Sequence, residues 1–299
     1  MKIGEGESWL REELSSVYDS GESSAIASIV LENISGLNRI QRMAKQDEPL
    51  SEDKEAQLRQ AALRLSSSEP VQYVIGEAPF AGMNLYVNNA VLIPRPETEE
   101  LIHWIINDIK VKGLTVFEKG PTDADVTDKL KILDVGTGSG CIALALKKQM
   151  PRAEVWGCDI SDEALNVARR NGSQLDIRVD FQGINFLDEA QQKGLPTVDI
   201  VVSNPPYIPQ AQKSTMHPNV VQHEPHTALF VPDDDALIFY RALAHFGKHR
   251  LYQHGIIYCE IHEDLGQQVV DLFEKQGYSS IELRKDMQGK DRMIKAVKP

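Results

Sequence analysis

The tetrapeptide Asn204-Pro205-Pro206-Tyr207 follows the apolar run Val198-Asp199-Ile200-Val201-Val202-Ser203 and has the residue types needed to hold a planar nitrogen for alkylation. An amide or exocyclic amine is a poor nucleophile because its lone pair is delocalised. Transfer to it depends on alignment and on acceptors for its N–H groups. The Asn204 side-chain oxygen and the Pro205 carbonyl can supply two such acceptors, and the prolines stiffen the backbone that aims them. Pro206 and Tyr207 complete the expected acceptor pocket, with Tyr207 offering a flat face for a planar group. No general base is required beforehand, because the proton can leave once charge has developed on nitrogen.

A second constellation lies upstream, where Ile132-Leu133-Asp134-Val135 enters Gly136-Thr137-Gly138-Ser139-Gly140 and a helical pattern follows at once. Glycines admit positive φ and let a ligand approach the main chain. At the carboxyl end of the first strand of an open α/β sheet, such a turn is where nucleotides bind. The spacing is G-x-G-x-G, not the dinucleotide G-x-G-x-x-G, which disfavours a nicotinamide dehydrogenase. Asp134 beside the turn would repel a pyrophosphate but suits the ammonium and sulfonium of S-adenosylmethionine. Asp159, ending the next strand, is placed to accept from both ribose hydroxyls. Asp134, Gly136, Thr137, Gly138, Gly140 and Asp159 are therefore expected to hold the cofactor, with Asn204 serving cofactor and acceptor alike.

Both groups must be positioned by alternating strands and helices. The pattern predicts strands at 131–135, 154–158, 177–181, 198–203, 255–260, 280–284 and 292–297, and helices at 100–110, 141–149, 162–171, 235–249 and 265–276. This is a doubly wound α/β sheet. Ahead of it, apolar positions such as Trp9, Leu14, Ile26, Val30, Leu58 and Leu65 recur at helical spacing, and Ser66–Pro70 ends them. Residues 71–93 read as a β-hairpin with Gly82 and Asn88-Asn89 as turn signals, and 113–129 as an acidic surface loop. The expected division is a helical domain over 1–75, a hairpin linker over 76–93 and a catalytic domain over 94–299.

The chain has 299 residues, 41% of them hydrophobic, and a formal charge of −12, which argues against a dedicated nucleic-acid binder gripping phosphates with a basic face. No run approaches the ~18 apolar residues of a membrane span, and no apolar signal core opens the sequence, so a cytoplasmic protein is expected. The three cysteines form no C-x-x-C pair and read as small buried hydrophobes. His217, His223, Glu224 and His226 lack the H-E-x-x-H spacing and read as a solvated loop, so no metal is expected. His262-Glu263-Asp264, just after a strand end, either starts a helix or approaches the site, and the helix start is the expected role. Arg95 and Glu97 either pair across a proline turn or line the acceptor side.

Further segments identify a resemblance. Glu69–Gly76 (EPVQYVIG), Leu92–Glu99 (LIPRPETE), Asp134–Gly140, Asn204–Tyr207 and Glu224–Leu229 (EPHTAL) occur in this order behind a helical domain. Over essentially its full length the chain resembles the peptide chain release factor N5-glutamine methyltransferases, the PrmC/HemK family. The resemblance implies a seven-stranded class I S-adenosylmethionine-dependent methyltransferase fold with a small N-terminal helical domain and a β-hairpin linker. It implies methyl transfer to the glutamine of the Gly-Gly-Gln motif in class 1 release factors. Asn204 and Pro205 would hold the glutamine amide, Tyr207 would help form its pocket, and the helical domain and hairpin would help dock the release factor. Where some members carry an acidic–aromatic pair near the adenine, this chain has Ile184-Asn185, and Asn185 is expected to bond the adenine. The rivals are a DNA amino-group methyltransferase, since such enzymes use a similar tetrapeptide on a flipped base, and a non-catalytic cofactor-binding docking module.

Overall fold

The computed structural model describes residues 1–111 and 129–299, so the stretch expected as an acidic loop lies, apart from Lys129, outside the described residues. In chain order come helices α1 (Ile3–Leu14), α2 (Ser20–Ser35), α3 (Arg39–Ala44), α4 (Glu52–Ser66) and α5 (Val71–Ile75). Strands β1 (Glu77–Phe80) and β2 (Met83–Tyr86), helix α6 (Pro96–Val111), strand β3 (Lys131–Val135), helix α7 (Cys141–Gln149) and strand β4 (Glu154–Asp159) follow. Next are α8 (Asp162–Gln174), β5 (Asp180–Gly183), α9 (Glu189–Gln192), β6 (Val198–Ser203) and β7 (Ile208–Pro209). After a 3₁₀ turn at Gln210–Thr215 come α10 (Pro218–His223), α11 (His226–Leu229), β8 (Phe230–Val231), α12 (Ile238–Arg250) and β9 (Leu251–Glu260). Helix α13 (Gly266–Lys275) and strands β10 (Ser279–Lys285) and β11 (Asp291–Val297) close the order.

Two compact bodies result, Met1–Glu77 with Met216–His223, and Ala78–Thr215 with Glu224–Pro299. The first is helical because its apolar residues fall on single helix faces. Leu10, Leu14, Leu31, Leu58 and Leu65 are fully enclosed there, each contributing about 1.5–3 kcal/mol relative to exposure. Local chemistry sets the helix ends. Asp19 accepts from the backbone N–H groups of Gly21 and Glu22 at the start of α2, and Gly36 ends it at φ +73°.

The second body is built on a seven-stranded sheet of order β10-β11-β9-β6-β3-β4-β5, parallel except for the antiparallel β11. Its central strands β3, β6 and β9 are largely apolar on both faces, as helices on both sides require. Ile132, Ile200, Val202 and Tyr258 pack with Trp104, Leu144 and Leu165 on one face. Leu133, Val201, Ile257 and Cys259 pack with Tyr240, Phe246 and Phe273 on the other. Strand order reverses at β3, whose neighbours are β4 and β6. The carboxyl ends of these three strands flank the crevice where ligands of open α/β sheets bind.

Besides shifts of a few residues at the ends of α6, α8, α12 and β9, two segments differ from the sequence reading. The fifth strand begins at Asp180 instead of residue 177, because Asp176 takes φ +53° and the Ile177 N–H returns to the Gly172 carbonyl to finish α8. Residues 71–75 are helical, and the hairpin is confined to 77–86 with Ala81 and Gly82 at positive φ in its turn. Asn88 accepts from the Ala90 N–H in a separate turn.

Candidate functional site

The turn after β3 is held from below by β4. The N–H groups of Gly136 and Thr137 both donate to the Cys158 carbonyl, at 2.9 and 3.0 Å. Gly136 and Gly138 stand at φ +71° and +54°, and a Cβ built on either would meet nothing within 4 Å. Both line one cavity of about 360 Å³, so a side chain at either would project into space a ligand could fill. Gly140 serves otherwise. A Cβ there would lie 3.1–3.2 Å from Phe181, Ala168 and Leu144, so its bareness lets α7 close on the core, and it does not line the cavity.

Asp134 is likewise set back from the cavity. It is fully buried, and its Oδ2 accepts from the Thr137 hydroxyl at 2.6 Å and the Ala143 N–H at 3.2 Å, while Oδ1 has no donor. It shapes the turn. Burial pushes its carboxyl up to about 7, against the pull of the two donors. An acid raised on folding favours the native state while protonated. That contribution is complete below about pH 4 and is lost as pH rises through about 7. Relative to the wild type, Asp134→Asn should therefore gain about 2–3 kcal/mol of stability between about pH 5 and about pH 8. Unfolding curves at both pH values measure it, and a pH-independent difference would show Asp134 ionised throughout.

Asp159 ends β4 on the cavity wall, its Oδ2 accepting from the Gly138 N–H at 2.9 Å and its Oδ1 from the Ser161 N–H at 3.0 Å. Each oxygen has one donor and retains capacity for another. Burial raises this carboxyl while the backbone N–H groups oppose the rise. Ile160, Ile184, Asn185, Phe186 and Leu187 continue the wall as a largely apolar slot. Asn185 lines it with its Oδ1 taken by the Leu187 N–H at 3.1 Å, which leaves its NH₂ as the donor of that side chain.

Across the cavity stand Asn204, Pro205 and Pro206, aimed by β6, whose last residue Ser203 is tied to the Val135 carbonyl at 2.7 Å. The Asn204 Nδ2 donates to the Thr98 hydroxyl oxygen at 3.1 Å. Thr98 in turn donates to Glu260 at 2.7 Å. Tyr207 follows Pro206 but is not among the residues that line the cavity. Its hydroxyl donates to Glu260 at 2.8 Å and its ring packs edge-on against His262. Burial beside Glu260 drives the phenol far above its usual range, so it stays a donor. Cys141 also lines the cavity, but burial pushes its thiol up to about 12 and it is no nucleophile at neutral pH.

Arg95 lines the site and Glu97 does not. Arg95 does not pair with Glu97 but with Glu224, at 2.6 Å, and Glu224 also accepts from the Ile93 N–H at 3.2 Å. Glu224 is 4% exposed, so the loop expected to be solvated is buried at this residue. Glu97 instead accepts from Gln288 at 3.5 Å. Glu224→Ala would leave a partly buried guanidinium and a buried N–H unpaired. It should cost about 2 kcal/mol of stability, below the usual figure for a buried pair because water reaches Arg95. Chemical denaturation checks this, and a change under about 0.5 kcal/mol would mean the pair contributes nothing measurable. Thr98, Glu224 and Glu260 were not singled out as site residues from sequence, because a helix-start threonine and loop or strand-end acids have ordinary structural uses.

Comparison with known proteins adds relatives to this geometry. The PrmC N-terminal domain model matches residues 8–76, and the methyltransferase small domain model matches residues 122–227. The release factor glutamine methyltransferase of Flavobacterium psychrophilum is 40% identical over 285 residues, covering 94% of each chain. That of Bacteroides thetaiotaomicron is 38% identical over 96% of this chain and 97% of the relative. Among solved structures, the hMettl16 catalytic domain in complex with the MAT2A 3'UTR hairpin superposes with TM-score 0.53 at 17% identity, over 82% of this chain and 81% of that one. A T. thermophilus 16S rRNA methyltransferase in complex with AdoMet and guanosine gives 0.51 at 15% identity, over 75% of this chain and 50% of that one. These two share the fold. Among the described residues no helix is long and apolar enough to cross a membrane.

Proposed function

The chain belongs to the release factor glutamine methyltransferase family, and from that premise we propose that it methylates the side-chain nitrogen of the Gly-Gly-Gln glutamine in class 1 release factors, using S-adenosylmethionine. The observation that carries the reading is the Asn204 amide. Its nitrogen is engaged by Thr98, so its oxygen is the atom left for an acceptor's N–H in the cavity that Gly136, Gly138 and Asp159 line.

The residues present fit that cofactor. Gly136 and Gly138 leave a cradle that any Cβ would fill, Asp159 keeps lone pairs for a ribose diol, and Asn185 can meet the adenine. Bound there, S-adenosylmethionine supplies a methyl group made electrophilic by a positive sulfur. Asn204 and the Pro205 carbonyl would take the two amide N–H bonds and turn the nitrogen lone pair toward that methyl. Those acceptors gain strength as charge develops on nitrogen, and the surplus proton leaves afterwards. Pro206, Arg95 and the Arg95-bound Glu224 would shape the entry, and the helical body over 1–75 would dock the release factor, a protein surface and not a nucleic acid. Incubating the protein with labelled S-adenosylmethionine and either a purified release factor or duplex DNA tests the reading. Label should appear on the release factor, and label on DNA instead would replace this reading with the nucleic-acid one.

A further inference from the structure

Glu260, the last residue of β9, is 2% exposed, and both its oxygens accept from hydroxyl groups, Oε2 from Thr98 and Oε1 from Tyr207. A carboxylate accepts only, so both hydroxyls are obliged to donate to it. Thr98 then has only lone pairs to turn toward Asn204, 3.1 Å away. The Asn204 atom that faces Thr98 must therefore be the NH₂, and the oxygen must face elsewhere. We propose that Glu260 is a positioning residue that sets the orientation of the Asn204 amide through the Thr98 hydroxyl. This rests on the reading of Asn204 as the acceptor of the substrate amide N–H.

The relay makes the orientation depend on the Glu260 proton. With Glu260 protonated, its O–H can donate to Thr98, whose own hydrogen is released to donate toward Asn204. The amide can then turn over and present NH₂ to the NH₂ of the substrate, donor against donor. Burial raises the Glu260 carboxyl above its ordinary range, Thr98, Tyr207 and Arg292 oppose the rise, and Glu97 adds to it. Tyr240 and Cys141 also feel its charge. Turnover should therefore fall as acid protonates Glu260.

Three substitutions separate a relay from mere packing. Glu260→Gln keeps the volume, Thr98→Val keeps the shape without the hydroxyl, and Thr98→Ser keeps the hydroxyl. Glu260→Gln and Thr98→Val should each lower kcat by about tenfold or more with KM for S-adenosylmethionine nearly unchanged, since the loss falls on transition-state alignment. The double variant should lose no more than the worse single one, Thr98→Ser should recover most of the turnover, and the acid limb should vanish in Glu260→Gln. Independently of activity, the isotope-labelled Asn204 side-chain amide should be protected from hydrogen exchange in the wild type and lose that protection in Thr98→Val. If Glu260→Gln does not fold, Thr98→Val carries the same comparison. Near-wild-type kcat and retained protection in Thr98→Val, with Asn204→Ala inactive, would overturn the relay and leave the proposed function standing. An active Asn204→Ala would remove the premise and the relay with it.

Discussion

Replacing Asn204 with alanine is expected to lower turnover by about 10²-fold or more, with cofactor affinity nearly unchanged. The two halves of this result have different physical origins. In the proposed reaction the Asn204 oxygen would face an acceptor nitrogen whose positive charge grows, so its loss would be felt most in the transition state. Cofactor binding would depend instead on Gly136, Gly138 and Asp159, which line the same cavity. Steady-state kinetics and calorimetry on one preparation separate the effects. A variant that turns over normally would remove the central assignment, and one that binds cofactor poorly would show that Asn204 also serves the cofactor, the second role expected of it from sequence.

Asp159→Ala is expected to do the converse, weakening S-adenosylmethionine by about 1–3 kcal/mol, or about 5- to 150-fold in Kd. The carboxylate would accept from the ribose, and it also anchors the Gly138 and Ser161 N–H groups, so alanine removes both a contact and a brace. Asp159→Asn distinguishes them. The amide still offers an oxygen to one N–H but loses the charge, so its loss in affinity should be smaller than that of alanine. Unchanged affinity in a folded Asp159→Ala protein would place the ribose elsewhere.

Much of this site could be read from residue order, because its parts are short and local. Lys131–Val135, Cys141–Gln149 and Val198–Ser203 have the predicted bounds, since each is an unbroken apolar or periodic run closed by Gly, Met-Pro or Asn-Pro. The glycine turn and the Asn204 tetrapeptide follow directly from two of them. What could not be read is long-range. Glu224 meets Arg95 and Ile93 across 129 and 131 positions, and Glu260 meets Thr98 across 162. No period or spacing links such residues before the sheet assembles. The hydroxyl of Tyr207 was not legible for the same reason, since only the burial of Glu260 beside it shows where that group goes. Asp134 and Gly140 belong to the turn as expected, yet they act behind it, through Thr137 and through the close approach of Phe181.

Glutamine methylation is tested most directly by mass spectrometry of a class 1 release factor after reaction with this protein and S-adenosylmethionine. One added methyl group is expected, on the peptide that carries Gly-Gly-Gln, and none when that glutamine is replaced. A release factor that stays unmodified while cofactor binds tightly, or a methyl group on any other residue, would contradict the assignment.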